Sequence, residues 1–270
     1  MMRGMEALFH LDGDSLVPTE LTRGGWSDVA QHGSPPSGIL ARAIESVPTA
    51  APMQVVRFTI DLFRPVPLTP LTISTRVSRD GLRIQVVDSY LLADGLEVGR
   101  ASGLKIRTKE IEIPPVEQPE TIDGPEMAAP HHWSDEFGDH HHLRRFHLDA
   151  IEIRTFDSSF GRLGPGLSWF RLKYPLVEGE EPSPFVRLAT LADMSNGNSQ
   201  NLDPREWLYV NPDITLYAHR LPEGEWIGMY SQAHQEETGI GVADTRVFDA
   251  KGPVGRINQA QILDRHAGDS

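Results

Sequence analysis

The chain contains no cysteine, which excludes disulfides, thiolate metal sites and a cysteine nucleophile outright. No apolar run reaches the roughly 18 residues of a membrane-spanning helix. At the amino terminus MMRGMEALFHLDGD lacks the sustained apolar core of a signal peptide. No Gly-x-Ser-x-Gly elbow is present, so nothing points to a serine hydrolase. Positive charge is also short: 25 Lys and Arg stand against 38 Asp and Glu, a formal net charge of -13. That balance argues against nucleic-acid binding, and an anionic ligand would need a local basic patch. What remains is ordinary for a globular protein, 39% hydrophobic and 23% charged over 270 residues. That length suits two domains of usual size or one large one, and a cytoplasmic protein without membrane contact is the simplest expectation.

Taken in order, residues 6 to 20 read as two short extended segments around Asp12-Gly13, a dipeptide suited to a tight hairpin. In HGSPPSGILARAIESVP, Pro35 and Pro36 suit a first helical turn. Ile39, Leu40, Ala43, Ile44 and Val47 form an apolar stripe, and Pro48 stops the helix. From Val55 to Arg107 the pattern alternates. Val56, Phe58, Ile60 and Leu62 share one strand face, as do Leu71, Ile73, Thr75 and Val77, with turns at Arg79-Asp80-Gly81 and Ala93-Asp94-Gly95. Five prolines and a cluster of histidines then interrupt the rhythm, which marks residues 113–146 as a linker between units at 1–112 and 147–268. Strand-like sequence returns with LDAIEIRTF and GLSWFRLKYPL. After one helix, four alternating segments close the chain: PDITLYAHRLP, EWIGMYSQAHQE, GIGVADTRVFD and VGRINQAQILD.

The second half repeats the first. Arg64 and Arg220, Val98-Gly99-Arg100 and Val254-Gly255-Arg256, and Ser37 and Asp193 are each 156 residues apart. Three matches at one spacing predict a duplicated α+β fold, each copy packing one helix against an antiparallel sheet. The second helix, within PFVRLATLADMSNGN, places Phe185, Leu188, Ala189 and Ala192 on one face with Asp193 at its edge. Asn196-Gly197-Asn198 supplies residues that tolerate the left-handed conformation of a helix end. A half-buried acid there is a candidate general base.

These residues resemble the tandem hotdog acyl-CoA thioesterases of the acyl-CoA thioesterase II type. The resemblance runs over about residues 20 to 265 and is carried by HGSPPSGILARAIE, VRFTIDLFRPVP, LADGLEVGRA, WFRLKYPL, RLATLADMSNG, PDITLYAHRLP and GRINQAQIL. It implies a double hotdog, two helices each wrapped by antiparallel strands with the sheets joined edge to edge. It also implies an acyl-CoA substrate, no cofactor or metal, and a homo-oligomer. Members hold the attacking water with an Asp, a Thr and a Gln. Residue by residue the Asp is Asp193 and the Gln is Gln259, while the Thr position falls on Asn211, a departure whose amide can still hydrogen-bond water or a carboxylate. His32 and Gly33, at the start of the first helix, are candidates for substrate contact. His32 with Asp28 is the candidate pair if the reaction is instead hydration or dehydration of an acyl thioester. A third reading is a protein that binds acyl thioesters without turning them over. Arg79, Arg83, Lys105 and Arg107 are the candidate phosphate-facing patch. His131, His132, His140, His141, His142 and His147 lack metal-ligand spacing and are expected in a solvated segment.

Overall fold

The computed structural model describes residues 6–25, 27–114, 121–132, 143–156 and 163–266. The first half begins with a hairpin of β1 (Phe9–Asp12) and β2 (Ser15–Pro18). Asp12 faces Ser15, and Gly13 takes a left-handed φ of 58° in the turn. Helix α1 (Ser34–Ser46) follows, with prolines in its first turn. It buries Ile39, Leu40, Ala41 and Ile44, whereas Ala43 and Val47 of the expected stripe are only partly covered. Four strands complete this half: β3 (Met53–Leu62), β4 (Leu71–Arg79), β5 (Ile84–Ala93) and β6 (Leu96–Arg107). The β5–β6 turn uses positive φ at both Asp94 and Gly95, as a two-residue hairpin requires.

Two strand faces depart from simple alternation. The register of β3 against β6 shifts between Val55 and Arg57, so Val55 is buried beside Phe58 and Ile60 while Val56 is only partly covered. A bulge inserts one residue and flips the face on one side of it, which alternation alone does not reveal. On β4 only Leu71 is fully buried, and Val77 lies in solvent.

The second half is built the same way. A single helical turn (Phe146–Ala150) leads into β8 (Ile151–Thr155), so Leu148 to Ala150 are not strand as expected. The Asp149 carboxylate accepts from the Arg145 N–H at 2.8 Å and holds that turn. Then come β9 (Gly166–Leu172), α2 (Pro184–Leu191), the short α3 (Met194–Gly197), β10 (Trp207–Val210), β11 (Asp213–Ala218), β12 (Ile227–Gln235), β13 (Ile240–Asp249) and β14 (Gly252–Arg265). Strand β10, which pairs with β14, was not expected. Nor was β7 (Ala129–Pro130), which lies inside the 113–146 segment and pairs with β8. His131 continues this pairing, its N–H donating to the Ile153 carbonyl at 2.9 Å. Trp169 and Phe170, neighbours in β9, are both fully buried: Phe170 faces the main core, and Trp169 packs with Ala128 and Phe248.

The fourteen strands of the described residues belong to one antiparallel sheet, in the order β1-β2-β4-β5-β6-β3-β11-β14-β13-β12-β9-β8-β7, with β10 alongside β14. The order reads the same outward from the β3–β11 junction, and at that junction Thr59 faces Thr215, a pair itself 156 residues apart. A local two-fold axis therefore passes through this pair. Strands β4 and β5 map onto β12 and β13 at that offset without residue gain or loss. Helices α1 and α2 pack on each other near this axis, where Phe58 meets Phe185 edge-on at 6.0 Å. Among the described residues no helix is long and apolar enough to cross a membrane.

Candidate active site

Asp193 occupies the break between α2 and α3. Its backbone is helical (φ -66°, ψ -20°), and its carboxylate does not cap α3. The side chain is instead 6% exposed and aimed across the junction with α1. The break arises where the apolar run of α2 gives way to Ser195, Asn196 and Asn198, polar side chains that must find partners once buried. No left-handed residue forms at Asn196-Gly197-Asn198, contrary to expectation; Asn198 has φ -87°. Their side chains anchor the segment directly. Asn196 donates to the Tyr209 carbonyl at 2.9 Å, and Asn198 donates to the carbonyls of Gly166 and Met229 at 3.1 and 3.0 Å.

Three donors converge on Asp193. His32 Nδ1 lies 2.8 Å from Oδ2, Asn211 Nδ2 donates to Oδ1 at 2.7 Å, and Gln259 Nε2 donates to Oδ1 at 3.3 Å. The Ser34 N–H also approaches Nδ1, at 3.2 Å. The carboxylate contact is shorter, and only an Nδ1–H can donate to an ionised acid, which assigns the proton to Nδ1. Burial pushes the Asp193 carboxyl upward, but the charge and hydrogen bond of His32, with the amides of Asn211 and Gln259, outweigh it and hold the group below the usual carboxylate range.

Behind these donors runs a second row. Ser195 donates its hydroxyl to Gln259 Oε1. Asn196 donates to Asn211 Oδ1 at 3.1 Å, Gln261 donates to Asn196 Oδ1 at 2.7 Å, and Gln235 donates to Gln261 Oε1 at 3.0 Å. Each amide is thus oriented by the next, so the NH2 ends of Asn211 and Gln259 face Asp193. Ser195 and Gln261 were not singled out from sequence, and Asn196 was read only as part of a helix end. A signal was present for Gln261, which lies two residues beyond Gln259 on the strand face that also buries Ile257.

Gly33 forms the other wall. A Cβ at this position would stand 2.8 Å from Asp193 Oδ2, so glycine is required for the carboxylate to approach α1, although its φ of -65° is open to any residue. The two-fold axis relates this contact to another: Ser37 donates its hydroxyl to the Ala189 carbonyl at 2.8 Å, and Ser37 and Ala189 are the counterparts of Asp193 and Gly33.

The structure corrects three expectations about charged residues. Asp28 does not pair with His32, because its carboxylate is 2.6 Å from the Arg145 guanidinium. Lys105 does not face a phosphate; it is 2% exposed and donates to the carbonyls of Glu45 and Val47 at the end of α1. His147 is not in a solvated segment. Its ring centroid is 6.0 Å from that of His32, and burial pulls its imidazole down to about 3, leaving it neutral. His140, His141 and His142 lie outside the described residues. Among the described residues no three His, Asp or Glu side chains gather as a metal site.

Comparison with known proteins agrees with this architecture. Residues 121–263 match the model of the acyl-CoA thioesterase C-terminal domain, and residues 22–105 match that of the acyl-CoA thioesterase N-terminal domain. A search of curated proteins finds no match. Among solved structures, the chain is similar to a hot dog fold protein of unknown function from Alicyclobacillus acidocaldarius (TM-score 0.68, 14% identity, 96% of each chain covered). It is also similar to the acyl-CoA thioesterase II TesB2 of Mycobacterium marinum (TM-score 0.65, 14% identity, covering 98% of this chain and 96% of that one). The tesB protein of Mycobacterium avium subspecies paratuberculosis is alike at TM-score 0.64 and 13% identity, over 95% of each chain. At such identities these likenesses speak for the fold, while the two domain models together span most of the sequence. The chain therefore belongs to the acyl-CoA thioesterase family of thioester hydrolases.

Proposed function

We propose that this protein is a tandem double hotdog that hydrolyses an acyl-CoA to the free acid and CoA, with the attacking water activated at Asp193. The observation that carries this reading is the convergence of His32, Asn211 and Gln259 on one buried carboxylate. An acid held below its usual range is ionised at neutral pH, and its fixed negative charge orients and polarises a water placed against it. The resemblance implies a Thr where Asn211 stands, and Asn211 donates to Oδ1 in its place.

Addition of water to the thioester carbonyl creates an oxyanion that needs donors. The amino end of α1 faces Asp193 through Gly33. Pro35 and Pro36 carry no N–H, and the Ser34 N–H is directed at His32 Nδ1, so the donor that remains there for the oxyanion is the N–H of Gly33. Collapse of the tetrahedral species re-forms the carbonyl and expels the thiol.

The test is release of free thiol from acyl-CoAs of graded chain length, by the wild type and Asp193→Asn. Asparagine keeps the shape and removes the charge, so the expected loss in kcat/KM is about a thousandfold or more. A variant as active as the wild type would remove Asp193 from the mechanism. Release from none of the acyl-CoAs by the wild type would remove the activity itself.

A further inference from the structure

The three bonds that order Asp193 also stabilise its charge, which makes the carboxylate a weak base. Oδ1 already accepts two N–H groups, and Oδ2 faces His32 and the Cα of Gly33. The imidazole of His32 is differently placed. Its ring is tilted against Phe146 with centroids 5.0 Å apart, and its side chain is 18% exposed. Nε2 has no hydrogen-bond partner among the described residues. With the proton on Nδ1, the available lone pair is on Nε2, on the side of the ring away from the carboxylate.

We propose that His32 is the proton acceptor of the hydrolysis: Nε2 takes the proton of the attacking water, while Asp193 holds Nδ1–H, fixes the tautomer and stabilises the imidazolium that forms. This rests on the thioester-hydrolase reading and relocates the proton from the carboxylate to the imidazole. As the water oxygen bonds to the thioester carbon, its proton moves to Nε2 and the carbonyl π pair moves onto oxygen. When the carbonyl re-forms, the C–S bond breaks, its electron pair leaves with sulfur, and the Nε2 proton is returned to that sulfur. Acid and free thiol leave, and His32 is neutral again.

The surroundings of His32 suit this cycle. Among the described residues Asp193 is the charged group in direct contact with the ring. His147, on the turn that packs against it, is neutral, and the charge of neighbouring Arg145 is taken up by Asp28 and the Gly24 carbonyl. The remaining neighbours are the Phe146 ring and the Ser34 N–H. An imidazolium at this position is therefore balanced by one buried carboxylate, an arrangement that needs no further base.

Two measurements test the assignment. In the first, thiol release from acetyl-, hexanoyl- and dodecanoyl-CoA is followed against pH for the wild type, His32→Gln, Asp193→Asn and the double variant. The wild type should show an acid limb, a loss of kcat as pH falls. His32→Gln should lower kcat by about 10²- to 10⁴-fold and abolish that acid limb, with KM changed little. The double variant should be no slower than the worse single variant, because the pair acts as a unit. An active wild type with His32→Gln unchanged in kcat and pH profile overturns this proposal alone, as do effects that multiply. Release from no substrate by the wild type overturns the hydrolase reading and this one with it. The second measurement needs no activity: nitrogen NMR of the imidazoles in the full chain should find His32 protonated at Nδ1 and bare at Nε2 at pH 8. The opposite tautomer overturns the proposal.

Discussion

Around Asp193 and around Ser37 the same backbone has been given opposite chemistry. The 156-residue offset lays Asp193 on Ser37, Asn211 on Val55, Gln259 on Gly103, His32 on Leu188 and Gly33 on Ala189. Where the first set builds a polar cluster around a carboxylate, the second builds packing. Leu188 is fully buried, a Cβ on Gly103 would strike the Ile44 side chain, and Ser37 only ties α1 to α2 through the Ala189 carbonyl. The comparison teaches that a duplicated fold offers two equivalent pockets but needs only one. The vacated position can then be filled with apolar side chains whose burial stabilises the fold without the desolvation of a buried charge.

Variants that erase or exchange the differences between the two positions follow from this contrast. Outside the His32–Asp193 pair itself, the largest effect is expected from Gly33→Ala, which gives the working site the Cβ that Ala189 already carries at its counterpart. The carboxylate must shift by several tenths of an ångström, and a misplaced catalytic group costs about 10²-fold in kcat, measured as thiol release with the unfolding midpoint as control. A smaller change is expected at Asn211. Asn211→Thr should stay within about tenfold of the wild type because a hydroxyl can still donate to Oδ1, whereas Asn211→Val, which copies Val55, should lose about one to three kcal/mol of stability by leaving Asn196 and Asp193 without that partner.

The acid dependence of stability separates the two positions further. Because the folded Asp193 carboxyl lies below its unfolded value, its charge contributes stability above the unfolded carboxylate range, near pH 4. That contribution is lost as pH falls through the lower folded value. Urea unfolding of the wild type and Asp193→Asn should therefore converge as pH is lowered from 7 towards 3. A gap that does not change over that interval would show that Asp193 is not held in its charged form. The smallest effect is expected at the silent position: Ser37→Ala should cost about 1 kcal/mol for one buried hydrogen bond and leave thiol release untouched.

Much of this architecture was legible before any coordinates. The hairpin at Asp12-Gly13, the helix opened by Pro35 and Pro36, and the paired strands ending at Arg79 and Gln235 follow from turn chemistry and side-chain period, which are local properties. The burial of Asp193 beside Gln259 was legible only through the repeat and the family pattern. The sequence reading failed where a distant neighbour decided the outcome. The bulge at Val55 depends on the register against β6, and β10 forms because β14 runs long enough to receive it. Asn196, Gly197 and Asn198 do stand at a helix end, but without the left-handed residue expected there, because buried carbonyls recruited the asparagine side chains instead.

By itself the sequence determined the duplicated α+β plan, the one acid without a counterpart, and the exclusion of cysteine chemistry, because composition, period and spacing are written along the chain. Tertiary structure decided which imidazole meets that acid. His32 and Asp193 are 161 residues apart. Only the packing of α1 on α2 about the two-fold axis, with glycine at the point of closest approach, brings Nδ1 and Oδ2 to 2.8 Å. A contact of that kind depends on how two helices cross, and helix crossing is set by the whole interface around it.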